Sequence, residues 1–165
     1  MISFACTILI MINKEYFYMQ EAIEEAKKAL VEDEVPIGCI IVCDDKIIAS
    51  AHNKKEQKNR AIYHAEIEAI ILAEKVKNNW NLSDCDMYVT LEPCMMCAGA
   101  ILNARIRRVY YGTKSFKAGF LHTKIALENI RGLNHYPQII PNILQEKCAE
   151  LLHEYFLSKR KKQVK

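Results

Sequence analysis

Met19, Ala22, Ile23, Ala26 and Leu30 recur at the spacing of one helical face and stop near the acidic Glu32-Asp33-Glu34 cluster, so the pattern predicts a first helix ending there. Beyond it the period shortens. Apolar runs over 37–43 and 46–51 predict two strands, and Asp44-Asp45 between them predicts a hairpin turn, although the preferred glycine is missing. A helix is predicted over 63–77, then a short strand over 86–90 that leads through Leu91-Glu92-Pro93 into another helix. A strand over 108–112 and a last helix over 142–157 complete the chain. Strands alternating with helices indicate an α/β sandwich. With no internal repeat, linker or low-complexity tract, one domain is expected.

Positions 1–12 are apolar but carry no basic leader and no cleavage pattern, and they are too few to span a bilayer, which takes about 20 residues. No membrane association is expected. Two readings stay open for this segment: a true start near Met11, or an extra strand packed on the body. An apolar content of 51% in 165 residues is enough for a substantial core and argues against disorder. Seven cysteines, an odd count without an export signal, suit reduced thiols in a cytoplasm better than a disulfide framework. The formal charge of +3 is too small to imply nucleic acid by itself. Its distribution says more: residues 159–165 hold five cations, just after Tyr155 and Phe156. In isolation such a run is a solvated tail; beside aromatics it also suits RNA phosphates and splayed bases.

Chemistry concentrates in His64-Ala65-Glu66 and Pro93-Cys94-Met95-Met96-Cys97. One imidazole and two thiolates form a three-ligand set that leaves a catalytic zinc one position for water. Cys94 and Cys97 stand three apart, so if Pro93 opens a helix both thiols share its first turn. His64 and Glu66 would diverge in a helix interior but can both reach forward at a helix entrance, where the dipole favours anions. A closed structural zinc site needs a fourth ligand. No second Cys-x-x-Cys offers one, and Cys39, Cys43, Cys85 and Cys148 read as core thiols scattered among apolar residues. A redox pair would leave the His-x-Glu element unused.

These residues resemble the zinc-dependent cytidine deaminase-like superfamily and, within it, the bacterial tRNA-specific adenosine deaminases. The resemblance is carried by Asp33-Glu34-Val35-Pro36-Ile37-Gly38, by Asn53, by His64-Ala65-Glu66-Ile67-Glu68-Ala69 and by Tyr88-Val89-Thr90-Leu91-Glu92-Pro93. It continues through Cys94-Met95-Met96-Cys97-Ala98-Gly99-Ala100-Ile101, Arg105 to Gly112 and Gly132-Leu133-Asn134-His135, covering most of the chain. It implies a three-layer α/β/α sandwich with a mixed five-stranded sheet, a deaminase domain over 13–158 and a basic tail over 159–165. It implies one zinc per subunit on His64, Cys94 and Cys97, Glu66 as proton carrier, and Asn53 hydrogen-bonding a flipped nucleoside, where residues alone would read Asn53 as a turn. It further implies a cytoplasmic homodimer, without organic cofactor, converting adenosine to inosine at the wobble position of a tRNA anticodon stem-loop. Lys114, Lys117, Tyr155, Phe156, Lys159 and Arg160 become candidate RNA contacts. The alternatives are a free-base or nucleoside deaminase acting on guanine or cytosine, and a non-catalytic zinc RNA-binding module that leaves Glu66 idle. Two departures stand out: Ser115 replaces a common acid in the loop after Gly112, and Arg131 replaces a common Pro.

Overall fold

The computed structural model describes the backbone of residues 4–163 and the side chains of 14–161. The order is α1 (Phe4–Val31), β1 (Gly38–Cys43), β2 (Lys46–His52), α2 (Lys55–Lys58), α3 (Ala65–Lys77), β3 (Cys85–Leu91), α4 (Met95–Asn103), β4 (Arg108–Thr113), β5 (Gln138–Ile140) and α5 (Gln145–Gln163). The five strands form one mixed sheet in the order β2-β1-β3-β4-β5. β1 runs antiparallel to both neighbours, whereas β3, β4 and β5 are parallel.

Side chains alternate across a strand, so a sheet covered on both faces has two cores. Cys39, Ile41, Met87, Val89, Val109 and Tyr111 face α3 and α4. Ile40, Val42, Tyr88 and Tyr110 face the other way, against Tyr18, Met19, Ala22 and Ile23 of α1 and Cys148 of α5. This is the expected three-layer sandwich. Cys39, Cys85 and Cys148 are buried as expected of core thiols, and Cys43 is half-buried at the end of its strand.

Several local expectations change. The segment before Met11 is not an extra strand: from Phe4 onward it is the first part of α1. Leu30 lies on that helix but is exposed, because the face that meets the sheet ends with Ala26 and Ala29. The 159–165 tail is helical as far as Gln163, since lysine and arginine are good helix formers and suit the negative end of the dipole. Asp44 and Asp45 make the hairpin turn without glycine by adopting φ of 49° and 59°, the left-handed pair a type I′ turn requires. Among the described residues, no helix is long and apolar enough to cross a membrane.

Two features hold α1 over the sheet and bear on the site. His52, at the end of β2, puts Nδ1 2.7 Å from Glu25 Oε1 and Nε2 3.2 Å from Glu32 Oε2, fixing the strand end that precedes Asn53. At Gly38 the helix backbone comes so close that a Cβ would lie 2.1 Å from the Ala22 carbonyl oxygen and 2.4 Å from the Ala26 nitrogen. Neither backbone atom can step aside cheaply. Gly38→Ala is therefore expected to cost roughly 2–3 kcal/mol through overpacking, read as a lower urea midpoint with an unchanged slope.

Candidate active site

Two helix N-termini meet at one point. His64 is the N-cap of α3 and Cys94 the N-cap of α4, both with extended backbone, and neither side chain makes the usual capping hydrogen bond. Released from capping, the two side chains turn toward each other. Pro93 therefore stands just before the cap instead of opening the helix, and α4 begins at Met95. Cys97 still falls on the first turn, so the two thiols share one side.

His64 Nδ1 is 3.7 Å from Cys94 Sγ and 3.5 Å from Cys97 Sγ, and the two sulfurs are 3.6 Å apart. A tetrahedral zinc with Zn–S of about 2.3 Å and Zn–N of about 2.0–2.1 Å needs edges of roughly 3.8 Å between sulfurs and about 3.5–3.6 Å from sulfur to nitrogen. The three donors fit that ion without rearrangement. Charge agrees with geometry: Cys94 is pulled down to about 4, chiefly because the Cys97 thiol donates to it, with His64 adding to the effect. Its neighbour goes the other way, Cys97 being pushed up by that shared proton and by burial. The hydrogen bond with Cys94 raises His64 against the effect of its burial.

Glu66, in the first turn of α3, is 4% exposed, and its Oε2 is buried without a hydrogen-bond partner. Burial pushes its carboxyl upward. Asn53, 4% exposed, follows β2 and donates its backbone N–H to the Ile37 carbonyl at 3.1 Å, while its side-chain Oδ1 is also buried and unpartnered. A plain turn residue has no reason to bury a bare acceptor. Unsatisfied buried polar atoms are uncommon, and these suit a polar ligand.

A second cluster, Cys43, Asp84 and Cys85, brings three donor atoms together at the other end of β3. There Lys77 Nζ lies 3.7 Å from Cys43 Sγ and pairs closely with Asp84, so an ammonium already takes the place of a cation.

The candidate RNA contacts divide. Lys114 and Lys117 are exposed on the loop after β4, and Phe156 and Arg160 are exposed on α5. Tyr155 is turned inward, 9% exposed, with its hydroxyl donating to the Asp33 carbonyl at 3.1 Å, so its ring is not offered to a base. Lys159 is half-buried and paired with Asp33 Oδ2 at 2.7 Å. Sequence reasoning missed Phe116, 77% exposed on the same loop, which shares a groove with Lys114, His153 and Phe156. Glu92, inside the Leu91-Glu92-Pro93 link, carried no role from sequence either. Burial raises that carboxyl, but donors from Thr123, His122 and Ser115 outweigh burial and hold it below the usual range.

Residues 12–152 match the MafB19-like deaminase family. The chain is 40% identical over 151 residues to the tRNA-specific adenosine deaminase of Streptococcus pyogenes serotype M1, spanning 92% of this chain and 88% of that one. The chain belongs to the tRNA-specific adenosine deaminase family. A tRNA-specific adenosine deaminase from Bacillus subtilis (strain 168) is 41% identical over 150 residues, 91% of this chain and 93% of its own. A structure solved in a study of A-to-I editing by tRNA:A34 deaminases at the wobble position of transfer RNA superimposes with a TM-score of 0.79. It has 38% identity and covers 82% of this chain and 99% of that one. The tRNA-specific adenosine deaminase relationship thus embraces the sheet, both helix N-termini and the loop after β4.

Proposed function

We propose that this chain hydrolyses adenosine to inosine and ammonia at the wobble position of a tRNA anticodon, with one zinc held by His64, Cys94 and Cys97. The observation that carries the chemistry is the bare, buried Glu66 Oε2 beside three donors whose edges fit zinc. A bound zinc lowers the pKa of water from about 15.7 toward neutrality and so provides the nucleophile. The chain's own residues do the rest. Glu66 Oε2 takes one proton from the attacking water and delivers it to the purine ring nitrogen next to C6, then carries the second, from the new C6 hydroxyl, to the amino group, so that the C–N bond breaks, ammonia leaves and the C6 carbonyl of inosine forms. Asn53 Oδ1 accepts a hydrogen bond from the nucleoside, which fixes the C6 face toward the metal. Substrate identity rests on the relatives' names together with the exposed Lys114 and Phe116 on the loop that pairs with Cys94, Phe156 across their groove and Arg160 further along α5.

The decisive experiment incubates the protein with an anticodon stem-loop carrying A at the wobble position, in parallel with free adenosine, guanine and cytosine. Inosine in the stem-loop alone is expected; turnover of a free base instead would reject the tRNA reading. Truncation before Lys159 tests the basic helix end: affinity for the stem-loop is expected to fall several-fold at low salt and to lose part of its salt dependence, with the chemical rate unchanged. Equal affinity at moderate salt would remove that segment from the RNA interface.

A homodimer fits this reading. Ile67, Ile71 and Trp80 line an apolar groove between α3 and α4, and Met95 and Met96 are exposed at the start of α4. The expected mass in sedimentation is twice that of the chain, and the cytoplasm, where tRNA resides, is the proposed compartment.

A further inference from the structure

We propose that Glu92 is a positioning residue that holds the 114–123 loop in its RNA-receiving shape; this rests on the tRNA reading above. Glu92 follows the last residue of β3, precedes Pro93 and is 2% exposed. Its Oε1 accepts the backbone N–H groups of Leu121 at 3.1 Å, His122 at 2.8 Å and Thr123 at 2.9 Å. Its Oε2 accepts the Ser115 N–H at 3.2 Å and the Thr123 hydroxyl. A carboxylate has about four lone-pair directions, so five donors saturate it. One side chain thereby ties down both ends of a loop with no strand or helix of its own.

The loop links the metal donors to the RNA-facing surface. Gly119 pairs with Cys94 in an isolated antiparallel bridge, and the Phe120 N–H donates to the Pro93 carbonyl at 2.9 Å. At its other end Lys114 and Phe116 face the groove below α5. Gly119 is itself built around the carboxylate: a Cβ there would lie 2.2 Å from Glu92 Oε2. Ordering a free loop costs conformational entropy at every residue, and a loop already ordered spares the RNA that cost on binding. All five donors to Glu92 come from this loop, so its loss is expected to fall on binding and to leave proton transfer at Glu66 intact.

The test compares wild type, Glu92→Gln, Glu92→Ala and Gly119→Ala for stem-loop KM and kcat, zinc per chain and amide exchange at 115 and 121–123. Gln keeps an acceptor for the three N–H groups at Oε1 but places an amide donor against Ser115 N–H. The expected order of KM is wild type, then Gln raised a few-fold, then Ala raised about tenfold or more, with kcat within a few-fold and zinc near one per chain. Gly119→Ala, whose Cβ would displace the carboxylate and also press on the Ser115 carbonyl at 2.7 Å, strains the clamp from the loop side and is expected to raise KM at least as much as Gln does. The four amides exchange faster in the same order. Unchanged KM in both Glu92 variants would overturn the proposal, as would zinc loss with falling kcat in Glu92→Gln, which would make the residue a prop for α4. Should Glu92→Ala fail to fold, Glu92→Gln and Gly119→Ala decide by the same readings. Wild-type failure on the stem-loop would reject the tRNA reading instead, and the amide exchange would still judge the loop clamp.

Discussion

Glu66→Gln is expected to lower inosine formation by about 10²–10⁴-fold, the usual contribution of a positioned acid/base, while zinc stays near one per chain. Glutamine preserves the side-chain volume and reach in the first turn of α3, and His64, two residues earlier, keeps its place as the N-cap. What it loses is the capacity to take a proton and return it. The loss should appear in the single-turnover rate, with stem-loop KM changing little. Stability should hold or rise, because a carboxylate oxygen buried without a partner costs free energy that an amide reduces. Retained turnover with full zinc would sink the assignment of Glu66. Falling zinc would instead mean that Glu66 supports the metal, and a lower melting temperature would show that its carboxylate has an undetected partner in the fold.

The residues that make the site were legible in sequence because their chemistry is local. His64 with Glu66, and Cys94 with Cys97, sit two and three positions apart at the entrances of two helices, and short-range spacing reports short-range geometry. The central strands were legible for a similar reason. Both faces of β1, β3 and β4 are covered, so 37–43 reads as a nearly continuous apolar run, and 87–89 and 109–111 as short unalternating stretches of apolar and aromatic residues. What depended on distant contacts was not visible. β5 has three residues, too few for a pattern, and exists because it continues the parallel register of β4 from Arg108↔Gln138 to Tyr110↔Ile140. Tyr155 read as an exposed aromatic beside a basic run, yet its partner is the Asp33 carbonyl at the far end of α1. Glu92 sat inside the most recognisable motif of the chain without a role, since every donor to it comes from residues 115 to 123. Asp44-Asp45 marked a turn correctly, but its left-handed conformation is imposed by the hairpin it closes.

Cys97→Ser is expected to abolish stable zinc binding, and the contrast with Cys43→Ser is what gives the result its force. Cys97 is fully buried, and its sulfur closes two of the three donor edges, to Cys94 and to His64. Replacing a ligand removes more affinity than disturbing an outer partner of a ligand, which alone costs about 10–100-fold. Zinc by mass spectrometry should therefore fall from about one per chain to a small fraction. The melting temperature should fall with it, since an ion that binds only the folded chain stabilises by mass action. A chelator should lower the melting temperature of wild type toward that of the variant and leave the variant itself unmoved. Cys43→Ser also removes a thiol from a three-donor cluster, but there Lys77 already supplies the positive charge, so zinc content and chelator response should match wild type. Zinc lost from Cys43→Ser, or kept by Cys97→Ser, would move the metal away from the two helix N-termini and leave Glu66 with no activated water to serve.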